Sequence, residues 1–219
     1  VYSCAYLPAR LPNQREMDAS TMATGQAKYE IFALARRQLL ESGYRAIGMD
    51  HFALPSDELA RAMDEHRLHR NFMGYTVVPA EEMVGFGPSA IGKIGGAYAQ
   101  NAKGLDEYSA HLDAGTFATA SGCVLSEDDR VRHYVIHELM CNFYLDFAVF
   151  GRQFGREFGS YFAVELPKLA ELAEECFVHV TDTHLAILPL GRVFVRNIAM
   201  IFDAYLKRSE AHRGFSRTV

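Results

Sequence analysis

The sequence predicts an α/β layer followed by a mainly helical, winged-helix-like second domain, divided as residues 1–118 and 119–219. Three observations carry this expectation. Strand, helix and strand patterns succeed one another up to Met49. The composition turns helical near residue 120. The last third reads as helices, a short β-hairpin and a closing helix.

Taken in order, VYSCAYL at 1–7 is apolar and reads as a buried strand, and with no Met before it the chain reads as cut from a longer one. A polar connection leads to an amphipathic helix over about 26–42, with Ile31, Phe32, Ala35 and Leu39 on one side and Gly43 as its stop. YRAIGM at 44–49 reads as a second buried strand, completing a βαβ unit. Such strands present ligand-binding groups at their carboxyl ends, here Ala5 to Pro8 and Asp50, His51 and Phe52. A short helix starts at Ser56. The segment 69–96 is rich in glycine and β-branched residues without helical period, so it predicts extended pieces and tight loops. Ser126 followed by Glu127, Asp128 and Asp129 is an N-cap with acids at the positive end of a helix, predicted to run to about Phe147. A second helical region spans about 158–175, FVHVTDTHLAIL at 177–188 gives two strands around a turn, and a helix from about Arg192 to Lys207 closes the chain.

With 219 residues, 49% hydrophobic and 22% charged, the chain has enough material for one good core or two small ones. A formal charge of −5 argues against a nucleic-acid binder, which needs Lys and Arg to neutralise phosphates. The basic residues Lys207, Arg208, Arg213 and Arg217 read as a solvated tail. No apolar run approaches the roughly 20 residues of a membrane span. The four cysteines form no CxxC pair, which signals neither a zinc site nor a disulfide framework and fits a reducing cytoplasm.

Several groups have chemical and structural readings side by side. GFGPSA at 85–90 matches a GxGxxA phosphate-binding pattern, but Pro88 and the continuing glycines favour a tight bend over a dinucleotide site. Asp50 and His51 could meet a ligand or tie down the adjoining loop. His133, His137 and Cys141 recur at helical spacing; no fourth ligand accompanies them, and surface and core roles are the simpler account. The aromatic series from Phe143 to Phe162 reads first as core.

CAYLP at 4–8, SGYRAIGMDHFALPSDELA at 42–60, LHRNFMGYT at 68–76, GFGPSAIGKIGGAYAQN at 85–101, CNFYLDF at 141–147, RNIAMIFDAYL at 196–206 and FSR at 215–217 together resemble the oxygen-independent coproporphyrinogen III oxidase family. The resemblance implies the last strands of a partial (β/α) radical S-adenosylmethionine barrel and a helical C-terminal domain over the active site. It also implies S-adenosylmethionine bound at a [4Fe-4S] cluster, whose CxxxCxxC ligands this sequence does not contain, so that the piece alone would be inactive. The implied substrate is coproporphyrinogen III, two of whose propionates become vinyl groups, with a flavodoxin-like or similar electron donor. By position, Ala5 and Ile91 match residues that contact S-adenosylmethionine, and Phe72 and Met73 fall in a loop resembling a second such site, where Met73 replaces the family's usual Gln. His69, Arg70 and Lys93 are candidates to meet substrate carboxylates. A haem-binding or haem-chaperone relative is the alternative, favoured by Met73 and opposed by LHRNFMGYT. A first strand without barrel neighbours would offer a sticky edge for self-association.

Overall fold

The structure, a computed structural model, describes residues 1–2, 4–9 and 11–206; the basic tail and the terminal FSR lie outside them. Two short 3-10 helices, Pro12–Glu16 and Ala19–Thr21, precede helix α1, Gly25–Glu41. Gly43, at φ +85°, ends α1, with the Tyr44 amide donating back to the Leu39 carbonyl at 3.0 Å. A pair of short hairpins follows: β1 (Arg45–Gly48) with β2 (His51–Ala53), and, after α2 (Glu58–Asp64), β3 (His69–Asn71) with β4 (Gly74–Thr76). Strands β5 (Ile91–Ile94), β6 (Ala97–Asn101) and β7 (Thr119–Val124) make an antiparallel sheet in the order β5-β6-β7, with α3 (Leu105–Asp113) between the last two strands.

Helix α4 (Glu127–Asn142) opens on a capping box, in which the Ser126 hydroxyl and the Asp129 carboxylate satisfy each other's backbone amides. It leads through β8 (Tyr144–Asp146) into α5 (Phe147–Phe154), α6 (Phe158–Tyr161) and α7 (Leu166–Glu174). Strands β9 (Val178–Val180) and β10 (His184–Ile187) form a hairpin, and β8 adds to β10 to give the order β8-β10-β9. The chain then runs through the short helix α8 (Val195–Ala199), flanked by 3-10 turns.

The architecture is a mixture of helices and small antiparallel sheets without a closed barrel. The expected βαβ unit is absent among the described residues. The described residues of the first seven, 1–2 and 4–7, form no strand, because no neighbouring strand pairs with them, and β1 pairs with β2 instead of lying parallel to a partner. The Gln14 side chain takes the place of one ladder rung: its amide donates to the Ala5 carbonyl at 3.0 Å and accepts from the Leu7 amide at 2.6 Å. The helix expected to reach Phe147 stops at Asn142, where Phe143 turns left-handed (φ 55°) and frees the next three residues to pair as β8. The predicted 158–175 helix is broken after α6, with Pro167 in the first turn of α7.

Two hydrophobic clusters hold this together. The larger joins Val131, Val135 and Leu139 of α4 to the Phe150, Phe158, Phe162 and Phe202 rings, and includes a stacked Phe147–Phe158 pair at 4.2 Å between centroids. The aromatic series is therefore core, apart from Tyr144, which stacks on His184. The smaller cluster packs Ile47, Ala53, Ala60, Ala62 and Leu68 against Cys141 of α4, so α4 is the element common to both. No helix among the described residues is long and apolar enough to cross a membrane.

Candidate functional site

Sheet β5-β6-β7 supplies the platform of the site. Residues directly opposite in an antiparallel pair share a face. Ile91 faces Gln100, and Lys93 faces Tyr98, which in turn faces Cys123, so Ile91, Lys93, Tyr98, Gln100 and Cys123 lie on one side. Phe72 and Met73 form the turn of the β3–β4 hairpin, with the Met73 amide donating to the Asn71 side chain at 2.8 Å. From that turn Phe72 meets Tyr98 edge to face, with centroids 5.7 Å apart. Phe72 and Ile91 thus come to the same face of the sheet through Tyr98, a residue the sequence reading did not single out although it lies in strand alternation beside GKIGG. Phe72 remains 55% exposed and Met73 89% exposed, so both have surface left for a ligand.

The glycine-rich approach to Ile91 is a structural bend. The Asn101 amide donates to the carbonyls of Gly85 (3.2 Å) and Gly87 (3.0 Å), and the Tyr108 hydroxyl accepts from the Gly87 amide at 3.1 Å. Gly87 sits at φ +97° with open space where a Cβ would stand, so its backbone can be approached closely. Ala5 is exposed and interacts with Gln14; no described contact joins it to Phe72, Met73 or Ile91.

Asp50 and His51 sit under the hairpin. Asp50 accepts from or orients Nδ1 of His51 at 2.8 Å, and the Tyr2 hydroxyl lies 3.2 Å from Nε2. The imidazole meets the Tyr75 ring edge-on at 5.0 Å, and Gly74, at φ +130°, leaves it room. Tyr75 is driven well above the ordinary phenol range by burial, then by Cys141, and its hydroxyl donates to the Met140 carbonyl at 2.7 Å. Arg70 lies over the same ring at 5.7 Å.

His133 and His137 lie side by side on α4, while Cys141 turns into the smaller core. Nε2 of His137 accepts the Arg70 amide at 3.3 Å, and its ring lies 5.4 Å from that of His69 and 6.0 Å from that of His133. Cys141 is buried, and desolvation followed by Glu138 pushes its thiol up to about 12, which leaves it inert. Desolvation, Lys93 and His137 push His133 down to about 4 although part of the ring stays open to solvent. Among the described residues no group of three or more His, Cys, Asp or Glu side chains is placed to hold a metal ion.

The comparisons with known proteins define the class. A solved structure of coproporphyrinogen III oxidase from Escherichia coli, described as a radical SAM enzyme, matches with a TM-score of 0.89 at 42% identity, over 92% of this chain and 46% of that one. This fold is that of part of a radical S-adenosylmethionine enzyme. Oxygen-independent coproporphyrinogen III oxidases of Thermostichus vulcanus and Escherichia coli are each 41% identical over the whole of this chain, which spans 67% of the first and 48% of the second. The chain belongs to the oxygen-independent coproporphyrinogen III oxidase family. It spans about half the length of several curated relatives, including that of Pseudomonas aeruginosa, 41% identical, of which it covers 47%. No family model matches it.

The family implies S-adenosylmethionine and a [4Fe-4S] cluster in the whole protein. The residues present fit the first of these: an exposed aromatic ring and an apolar strand residue share one sheet face, and an open glycine bend leads into that strand, surfaces suited to a nucleoside. They do not fit the cluster, since the cysteines stand apart and Cys141 is buried with its thiol protonated.

Proposed function

We propose that this chain is the part of an oxygen-independent coproporphyrinogen III oxidase that binds S-adenosylmethionine and the tetrapyrrole, in a cytoplasmic protein whose cluster ligands lie outside it. The observation that carries the reading is the convergence of Phe72 and Ile91 on one sheet face, in a chain similar over its whole length to such oxidases. When bound, S-adenosylmethionine supplies the radical hydrogen abstraction, with reducing equivalents from an external electron donor. Each reacting propionate of coproporphyrinogen III loses one hydrogen atom, carbon dioxide and one electron, leaving a vinyl group. The chain's own residues bind and shield. Phe72 offers a ring face, Ile91 and Ala5 offer apolar contact, and Gly87 lets the backbone close on the ligand. Met73 offers its thioether where the family's usual Gln would offer an amide, which removes polar contacts from that side of the site.

We further read residues 1–118 as the end of the barrel with its pocket-closing strands, and 119–219, whose first strand β7 joins the platform sheet, as the domain that covers the pocket. The order α4, β8, α5 to α7, β9 and β10, with β8 paired to β10, supports a winged-helix arrangement for the latter. Its shape is then a folding solution and not a nucleic-acid reader, given the acidic start of α4.

The test is anaerobic turnover of coproporphyrinogen III by the complete protein, with its cluster reconstituted and S-adenosylmethionine and a reductant supplied. Protoporphyrinogen IX formed with release of carbon dioxide is the expected result. Cleavage of S-adenosylmethionine, or haem binding, without decarboxylation would replace the oxidase reading with a haem-handling one.

A further inference from the structure

A cavity of about 300 Å³ opens between the end of the platform sheet and the first turns of α4, lined by Glu81, Glu82, Lys93, Gly96, Leu125, Arg130 and His133. Lys93 belongs to it and also to the Ile91–Tyr98 face, so the cavity continues the face on which Phe72 lies. Its charges are unusual in how they are left. The acids near Arg130 on α4 are engaged elsewhere: Glu127 pairs with Arg156 at 2.7 Å, Asp128 with Arg132 and Tyr161, and Asp129 with Ser126 and Tyr205. Glu82 accepts the Gly95 amide at 3.0 Å, and Glu81 is exposed at the rim. Among the described residues neither Lys93 nor Arg130 has a carboxylate within ion-pair distance. The Arg130 guanidinium instead lies against Gly96, at φ +75°, where a Cβ would fall 2.8 Å from its terminal nitrogen. A glycine there is what admits the guanidinium.

We infer that this cavity is a carboxylate subsite in which Lys93 and Arg130, with a hydrogen bond from His133, hold one propionate arm of the tetrapyrrole, an assignment that rests on the oxidase reading above. The neutral imidazole donates one hydrogen bond, and the two cations supply charge-assisted ones. The volume sits at the lower end of ligand pockets, roughly 300–1,000 Å³, so it accommodates an arm with its water and not a macrocycle. The macrocycle would then lie outside it, over the Tyr98 and Phe72 rings, with a different propionate nearer Ile91. Carboxylates in this enzyme have two sources, the substrate's propionates and the amino-acid end of S-adenosylmethionine, and the geometry favours the first because the cavity lies at the Gly96 end of the β5–β6 pair, whereas the glycine bend is tied to Asn101 at the other end.

The experiment uses the complete reconstituted protein with Lys93→Gln, Arg130→Gln and Lys93→Arg substitutions, whose thermal midpoints should stay near that of the parent because no ion pair is broken. The KM for coproporphyrinogen III should rise about tenfold for each Gln variant, as expected for one charge-assisted hydrogen bond, and be largely restored in Lys93→Arg. The KM for S-adenosylmethionine should not follow. In parallel, binding of coproporphyrin III is compared with binding of its tetramethyl ester: the parent should prefer the free acid, and the Gln variants should lose that preference. An unchanged substrate KM, or a rise confined to S-adenosylmethionine, overturns the assignment. A parent that prefers the free acid but does not decarboxylate overturns the oxidase reading while the subsite stands; a parent with no such preference overturns the subsite.

Discussion

At the scale of single residues, Tyr75 shows how little of this site is decorative. Its hydroxyl reaches a carbonyl in the last turn of α4, where carbonyls have no helical partner, and so secures the hairpin that carries Phe72 to the helix on which both cores are built. Tyr75→Phe should therefore cost about 1–2 kcal/mol, the price of a buried acceptor left unpaired, measured as a lower urea midpoint with an unchanged slope. An equal midpoint would mean that water replaces the hydroxyl. His133 gives a pH signature. Desolvation first, and then Lys93 and His137, hold its pKa at about 4, below the ordinary 6.5. The unfolded chain therefore binds the proton more readily between these values, and stability falls as pH drops from about 6.5 toward 4. His69, also lowered chiefly by burial and then by His137, adds in the same direction. Thermal midpoints across that window should decline less steeply in His133→Asn than in the parent, and parallel curves would count against the assignment.

At the scale of elements, the sequence was most legible where local chemistry settles the matter. The N-cap of α4 was readable from Ser126 and its three acids, and Ser126→Ala should lower stability by about 1 kcal/mol, checked by calorimetry. Gly43 as the end of α1 and the β9–β10 hairpin were readable for the same reason. Elements that depend on distant partners were not. VYSCAYL has strand composition, but strand formation needs a neighbour, and among its described residues the Gln14 side chain occupies the Ala5 carbonyl and the Leu7 amide. Phe143 ends α4 short of the expected Phe147 because β10 captures Tyr144 to Asp146, a long-range pairing with no local signature. At the candidate site, Phe72, Met73 and Ile91 became candidates through resemblance, whereas Tyr98, which Phe72 meets, depends on sheet register, and Arg130 reaches the cavity by its approach to Gly96, which no local pattern announces.

At the scale of the molecule, one helix organises two cores, and the burial is uneven. Helix α1 buries no residue and leaves Ile31 59% exposed, while β7 is exposed along its whole length and leaves Val124 81% exposed. Beside the sticky edge expected at residues 1–7, β7 offers a second one, since it has a paired neighbour on one side only. If β7 mediates self-association, sedimentation should show dimers or larger species growing with concentration, and Val124→Lys should shift them toward monomer. A monomer at every concentration would remove the idea.

Gln14 carries a consequence of a different kind. By occupying the Ala5 carbonyl and the Leu7 amide, its side chain acts as a doorstop on the segment that bears one of the cofactor-contact candidates. Any strand arriving along that side must first expel it, so the docking of a neighbour is an exchange of partners and not a simple addition.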